Sequence, residues 1–290
     1  MRPAETPTPG SETSTPSTAA RPVPIKLAPV LDPQFEALLQ GIQGEGLARP
    51  SALRQRLLAR VSRSAQASRA MLTRRFVDAA VARPAAGVAV HTLYEATGTA
   101  HRPGEPHRSL LLELAPGARW SMATCDGTLR REWLVIQGRV RLDEFELGAE
   151  DFHRQAATAA TLTSEGGALV LLREAQAIAG NDDAAARSQR ADQAEWADYG
   201  PRIQRRVMWQ HGGQAAMLYR TLPGAAVPRH AHGHDEECLM LRGEIFLDDV
   251  LLRALDYQLA PAGTGHESVS TDTGVLLYAH GDLDLDLLPP

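Results

Sequence analysis

Cysteine is almost absent: Cys125 and Cys238 are the only two in 290 residues. Neither a disulfide framework nor a four-thiolate zinc site can be built from them. No large excess of either charge exists, the formal net charge being -5, which argues against a nucleic-acid-binding surface. Runs of about 18 apolar residues are missing, and with them any ordinary transmembrane helix. The N-terminus has no secretory apolar core, because Pro, Thr and Ser interrupt it throughout. The expected location is the cytoplasm, with neither membrane nor nucleic acid among the partners.

What is present changes along the chain. Of residues 1–24, 14 are Pro, Ser or Thr, too polar to offset the entropy of ordering, and a disordered tail is expected over residues 1–30. Residues 31–82 are expected to be helical and basic. Leu53, Leu57 and Val61 fall on one stripe, with Leu58, Ala65, Leu72 and Phe76 nearby, and Ser51 after Pro50 suits an N-cap. Eight arginines lie between Arg49 and Arg75 without one Asp or Glu. Such a segment either docks on an acidic partner or packs its apolar stripe on its own domain.

From Val88 onward short apolar runs alternate with Gly, Pro and Asp, the pattern of many short strands. At a constant separation of 105 residues, Glu132, Leu134, Gly138, Leu142, Asp143, Leu147, Ala149 and Asp151 match Glu237, Leu239, Gly243, Leu247, Asp248, Leu252, Ala254 and Asp256. Val170–Leu172 matches Val275–Leu277 in the same register. Two copies of one β unit are expected, over 85–175 and 201–287, with 176–200 as a polar linker.

The second copy carries the chemistry. His230 and His232 lie two apart, so on a strand both imidazoles face one side. A hairpin around Gly233–Asp235 returns the chain and brings Glu236 to them, and His266 follows the Pro261–Gly265 turn. Three imidazoles and a carboxylate on an interior face are costly to desolvate unless a cation compensates them. One divalent metal ion held by His230, His232, Glu236 and His266 is therefore expected.

These residues resemble the two motifs of the cupin superfamily. Gly224, His230, His232, Glu236 and Gly243 meet every position of G-x5-H-x-H-x3-E-x6-G. Pro261, Gly263 and His266 match the second motif, in which Leu255 stands for its first Gly and Ser270 for its Asn. Leu222–Ala225, Pro228, Glu236–Glu237 and Asp256–Tyr257 are similar to the ChrR-like cupins. The resemblance implies two tandem jelly-roll barrels in a mainly β chain, preceded by the helical segment and the tail. In the first copy Arg131 stands at the position of Glu236, Thr161 at that of His266, and Met122–Gly127 offers no histidine, so that barrel is expected to be metal-free.

Three neighbours of the ligands are expected elsewhere. His234 falls in the turn at the surface, Cys238 serves as a small core residue, and Glu237, which recurs as Glu132, has a structural role common to both copies.

Zinc with four protein ligands would make a closed tetrahedron; iron, manganese or nickel would leave two open positions. The ChrR resemblance implies a metal-binding regulator or sensor related to anti-sigma factors. Pro50–Val61 is similar to the end of the helical domain through which such proteins hold a sigma factor, the expected partner of residues 31–82. The H-x3-C-x2-C zinc motif of that domain is absent. Other ChrR-like cupins imply the alternative, an Fe(II)-dependent dioxygenase cleaving a small ketone or diketone bound in the second barrel. The sequence names no catalytic residue beyond the ligands and leaves homodimer formation open.

Overall fold

In a computed structural model, residues 54–55, 70–96, 104–125, 127–178 and 186–288 are described. The contacts divide the chain into units 1–56 and 57–290, and the strands found among the described residues belong to the second. The expected tail and most of the expected helical segment lie outside the described residues.

Apolar runs such as Leu110–Leu112 form strands whose two faces are both buried. In the strand Pro106–Leu114, Leu110, Leu112 and Leu114 point into the lumen of the first barrel. Leu111, between them, points the other way, into a core shared with the second barrel. The second copy splits in the same manner: Cys238 and Met240 face its lumen, while Leu239 and Leu241 face the shared core. Among the described residues three cores result, one per barrel and one between barrels.

The principal sheets repeat each other strand for strand. The first runs Arg187–Gln189, Phe152–Ala156, Leu129–Leu142, Ala168–Gln176, Pro106–Leu114, Val88–Glu95, Ala80–Ala85. The second runs Leu72–Arg74, Tyr257–Ala260, Glu236–Leu247, Val275–Asp282, Gln214–Thr221, Ile203–His211, Ala197–Gly200. Gly138 and Gly243 hold φ of +82° and +79°, and a Cβ on either would lie 2.2 Å from the carbonyl oxygen of Gly167 or Gly274. Only glycine fits where the strands approach so closely. Leu255, which replaces the motif glycine, still adopts a φ of +69°, a strain of about 1–2 kcal/mol for an L-residue.

Two expectations need correction. Within the segment expected to be helical, Leu72–Arg74 is a strand, Phe76–Asp78 a single 3-10 turn, and Ala80–Ala85 another strand. Leu72 and Phe76 are spaced like one face of a helix, but they pack instead on the core between the barrels. The expected linker supplies the strands Arg187–Gln189 and Ala197–Gly200. Their pairing is made by backbone groups, so no apolar alternation announces it.

These arms are exchanged. Leu72–Arg74 precedes the first barrel but pairs with Tyr257–Ala260 of the second, and Arg187–Gln189 precedes the second barrel but pairs with Phe152–Ala156 of the first. Each arm ends on an equivalent clamp. Arg75 donates to Asp256 at 2.7 Å and to the Leu251 carbonyl, and the Phe76 amide donates to Asp256. Arg190 donates to Asp151 at 2.9 Å and to the Glu146 carbonyl, and the Ala191 amide donates to Asp151.

Between the barrels lies a buried ionic network. Arg173 bonds Glu132 at 3.2 Å and also Glu237; Arg154 bonds Glu132 at 2.9 Å; the Tyr257 hydroxyl donates to Glu237 at 2.7 Å. Glu132 and Glu237, equivalent in the repeat, thus meet on one guanidinium. Burial works against the Glu132 carboxylate, yet His280, Arg173 and Arg154 hold its pKa well below the ordinary carboxylate range. Among the described residues no helix is long and apolar enough to cross a membrane.

Candidate metal centre

The short strands His230–Ala231 and Gly265–His266 pair antiparallel, with His230 opposite His266. The approach is close enough that a Cβ on Gly265 would lie 2.4 Å from the His230 carbonyl oxygen. His232 is fastened to the same turn: its amide donates to the Thr264 carbonyl at 2.9 Å, and its carbonyl accepts from the Gly263 amide at 2.7 Å. Asp282 accepts from the Gly233 amide at 2.6 Å and Asp235 accepts from the Ala262 amide at 2.7 Å. The hairpin so fixed delivers Glu236 to the first position of the strand Glu236–Leu247.

Three of the four expected ligands converge as a result, and His266 stands beside them without its donor atom joining the group. One donor atom each from His230, His232 and Glu236 lies within 4.8 Å of the others. The rings of His230, His232 and His266 stand 5.1–5.5 Å apart, centre to centre. The three histidines are 2–3% exposed. His230 Nδ1 lies 2.9 Å from the Pro228 carbonyl oxygen, so it carries the proton and Nε2 keeps its lone pair. His266 Nδ1 lies 3.0 Å from Asp248 Oδ2, with the same consequence. Neither ring nitrogen of His232 has a hydrogen-bond partner, and Glu236 Oε2 stands 3.5 Å from its Nδ1. Apart from that long contact with Glu236, the buried ring leaves Nε2 with nothing to bond, which structures rarely tolerate. A divalent cation suits this donor set, because imidazole nitrogen and carboxylate oxygen are its usual ligands.

The electrostatics fit a cation as well. Burial lowers the pKa of His230, keeping the ring neutral. Burial lowers that of His232 too, but the Glu236 carboxylate outweighs it and the net shift is upward. Burial would raise the Glu236 pKa; the surrounding imidazoles bring it down to about 2. An ionised carboxylate thus faces three rings at neutral pH.

The neighbours sort by face. His234 is turned away onto Asp282, 2.5 Å from its Oδ1. Glu237 points to the interface between barrels. Cys238 lines the lumen, its Sγ 3.4 Å from Glu236 Oε1, and burial pushes its thiol pKa well up. Two residues escape the sequence reading: Asp248, which orients His266, and Asp282, which closes the ligand hairpin. A signal for Asp248 exists in its repeat partner Asp143, since both adopt positive φ, 54° and 50°. Asp143 still accepts from the Thr161 amide at 2.8 Å, with no imidazole to orient.

The donor cluster opens on a cavity of about 70 Å³, lined by His230, Glu236, His266 and Cys238 on one side and by Ile203, Val227, Ile245, Leu277, Tyr199 and Tyr219 among others. One water needs about 10–15 Å³ by such a measure, so the space suits a molecule of roughly five to seven heavy atoms. No Lys or Arg lines it.

In the first barrel the equivalent space is filled. Trp133, register mate of Cys238, is fully buried in the lumen. Arg131 occupies the Glu236 position and bonds Glu174 at 2.9 Å, the Ala123 carbonyl at 2.8 Å and Cys125 Sγ at 3.0 Å.

Residues 185–284 match the family model of the ChrR cupin-like domain. No curated protein sequence matches the chain. Among solved structures, a candidate dioxygenase from Nostoc punctiforme is 15% identical over 77% of this chain and 88% of its own, with a TM-score of 0.54. A candidate glyoxylate-induced protein from Pseudomonas aeruginosa is 12% identical over 70% of this chain and 83% of its own, TM-score 0.56. Oxalate decarboxylase from Lactobacillus farciminis is 12% identical over 74% and 87%, TM-score 0.55. At such identities the likeness is one of fold: two tandem cupin barrels.

Proposed function

We propose, from the premise that residues 185–284 are a ChrR cupin-like domain, that the second barrel is an Fe(II)-dependent oxygenase site for a small neutral ketone or diketone. His230, His232, Glu236 and His266 hold the ion. The observation that carries this reading is the apolar cavity onto which the donor cluster opens. A closed tetrahedral zinc site would make no use of such a space, whereas a six-coordinate ion with four protein ligands keeps two positions for ligands.

When bound, the ion supplies Lewis acidity and one-electron chemistry. The chain's own residues do the rest. Pro228 and Asp248 fix the tautomers of His230 and His266, Glu236 supplies the compensating charge, and the aliphatic wall excludes water and selects for shape. Oxalate, named in the decarboxylase likeness, is a poorer fit than a neutral ketone, because beyond the ion itself the cavity wall offers a dianion no Lys or Arg.

A second reading, a metal-dependent regulator acting on a sigma factor through residues 31–82, has one observation in its favour. The strand Leu72–Arg74, at the end of the arginine-rich segment, pairs with Tyr257–Ala260, which pairs in turn with the start of Glu236–Leu247. The segment is thereby tied to the strand carrying Glu236.

Protein purified without oxygen should contain about one iron per chain and consume oxygen with 2,4-pentanedione but not with oxalate. Stoichiometric zinc with no uptake contradicts the oxygenase reading and leaves the regulator. Binding of a sigma factor by the zinc form would then support it.

A further inference from the structure

Among the hydroxyls that line the cavity, that of Tyr219 spends its capacity to donate on a weak acceptor. Tyr219, on the strand Gln214–Thr221, lines the lumen with Glu236 and His266. Its ring meets that of Tyr199 edge-on at 5.4 Å. Its O–H donates to the thioether of Met217, at 3.4 Å, and a thioether is a weak acceptor. The first barrel shows that structure alone does not require a hydroxyl here. Tyr219 pairs with Leu277 just as Leu110 pairs with Leu172, the register mate of Leu277. A leucine thus fills the same lumen position where no ligand site exists. Burial, with Tyr199 and Glu236 adding to it and Arg205 opposing, raises the Tyr219 pKa. The phenol therefore keeps its proton at neutral pH and remains a neutral donor.

We propose that Tyr219 is the specificity-determining residue of the cavity, donating its O–H to the carbonyl oxygen of the bound neutral ligand and so selecting carbonyl compounds over hydrocarbons of the same shape. This inference rests on the proposed reading of the cavity as a small-molecule site. A ligand bringing a carbonyl exchanges a thioether partner for a far better acceptor. An isosteric hydrocarbon leaves the hydroxyl where it is and loses nothing of the aliphatic contact.

The test uses the full-length protein loaded with redox-inert Zn(II) and two probes of matched shape, cyclopentanone and methylenecyclopentane, titrated by calorimetry. Tyr219→Phe keeps the ring and its packing on Tyr199. It should weaken cyclopentanone binding about fivefold, the worth of one ordinary hydrogen bond, and leave methylenecyclopentane binding and zinc content unchanged. Unchanged cyclopentanone binding, or equal weakening of both probes, overturns the role of the hydroxyl while the cavity reading stands. If wild-type protein binds neither probe, the cavity is no ligand site, and the reading beneath this inference falls with it. Methylenecyclopentane doubles as the folding control, since a collapsed variant would lose it too.

Discussion

The two barrels share a skeleton and differ in how each answers the same buried position. In the first, the Arg131 guanidinium sits on Glu174 with Trp133 filling the lumen beside it. In the second, Glu236 stands where Arg131 stands, Cys238 where Trp133 stands, and two imidazoles gather on the carboxylate beside a cavity, with the ring of His266 next to them. One barrel carries its cation as a side chain; the other offers ligands for one from solution. Strand order, the glycine approaches and the Asp143/Asp248 turns survive in both copies. The fold therefore resides in the repeated positions, and the chemistry in a handful of lumen positions free to diverge.

That contrast can be attacked directly. The largest expected effect is on metal retention: His230→Ala should lower divalent-metal affinity by at least about a hundredfold, because it deletes a direct ligand. Thr161→Val, in the first barrel, should leave it unchanged. Metal content after dialysis against a chelator reads both, and equal loss in the two variants would erase the distinction between barrels. Next, Arg131→Ala should destabilise the protein by about 3 kcal/mol, since it strips Glu174 of a buried partner, measured as the shift in urea midpoint. Arg108 still bonds Glu174 at 2.7 Å, so a loss near zero would mean that the one arginine suffices.

A smaller effect is expected at the turn the copies share. Asp248→Asn should weaken metal binding about tenfold by loosening His266, whereas Asp143→Asn should not affect it. The smallest effect is in pH dependence. Burial raises the Glu174 pKa, but Arg108 and Arg131 more than offset it, and the net shift is downward. A folded-state pKa below the unfolded one means that this carboxylate contributes stability above the ordinary range, near pH 4.5, and that the contribution fades as pH falls below it. Urea midpoints of wild type and Glu174→Gln should therefore converge on acidification. A constant gap would assign the stabilisation to packing rather than charge.

Much of the fold and most of the metal centre are legible in the amino-acid sequence. The repeat shows because lumen and interface residues alternate on each strand, so Leu134/Leu239 and Gly138/Gly243 have to recur together. The grouping of His230, His232 and Glu236 shows because strand parity and one hairpin suffice to bring them together. The exchanged arms stay hidden, since Arg187–Gln189 pairs through its backbone and its side chains carry no period. Leu72 and Phe76 mislead for a related reason: a spacing of four fits a helix, but a core between two barrels can also collect it. The Tyr219 hydroxyl and its weak thioether partner are invisible to spacing, because only the fold brings that strand beside Glu236.

The central claim is that His230, His232, Glu236 and His266 bind one divalent ion while the first barrel binds none. Anomalous diffraction from crystals grown with Co(II) tests it most directly. A single peak is expected, in the second barrel, with those four side chains at about 2.0–2.2 Å. A peak in the first barrel, or one that His266 does not ligate, would contradict it.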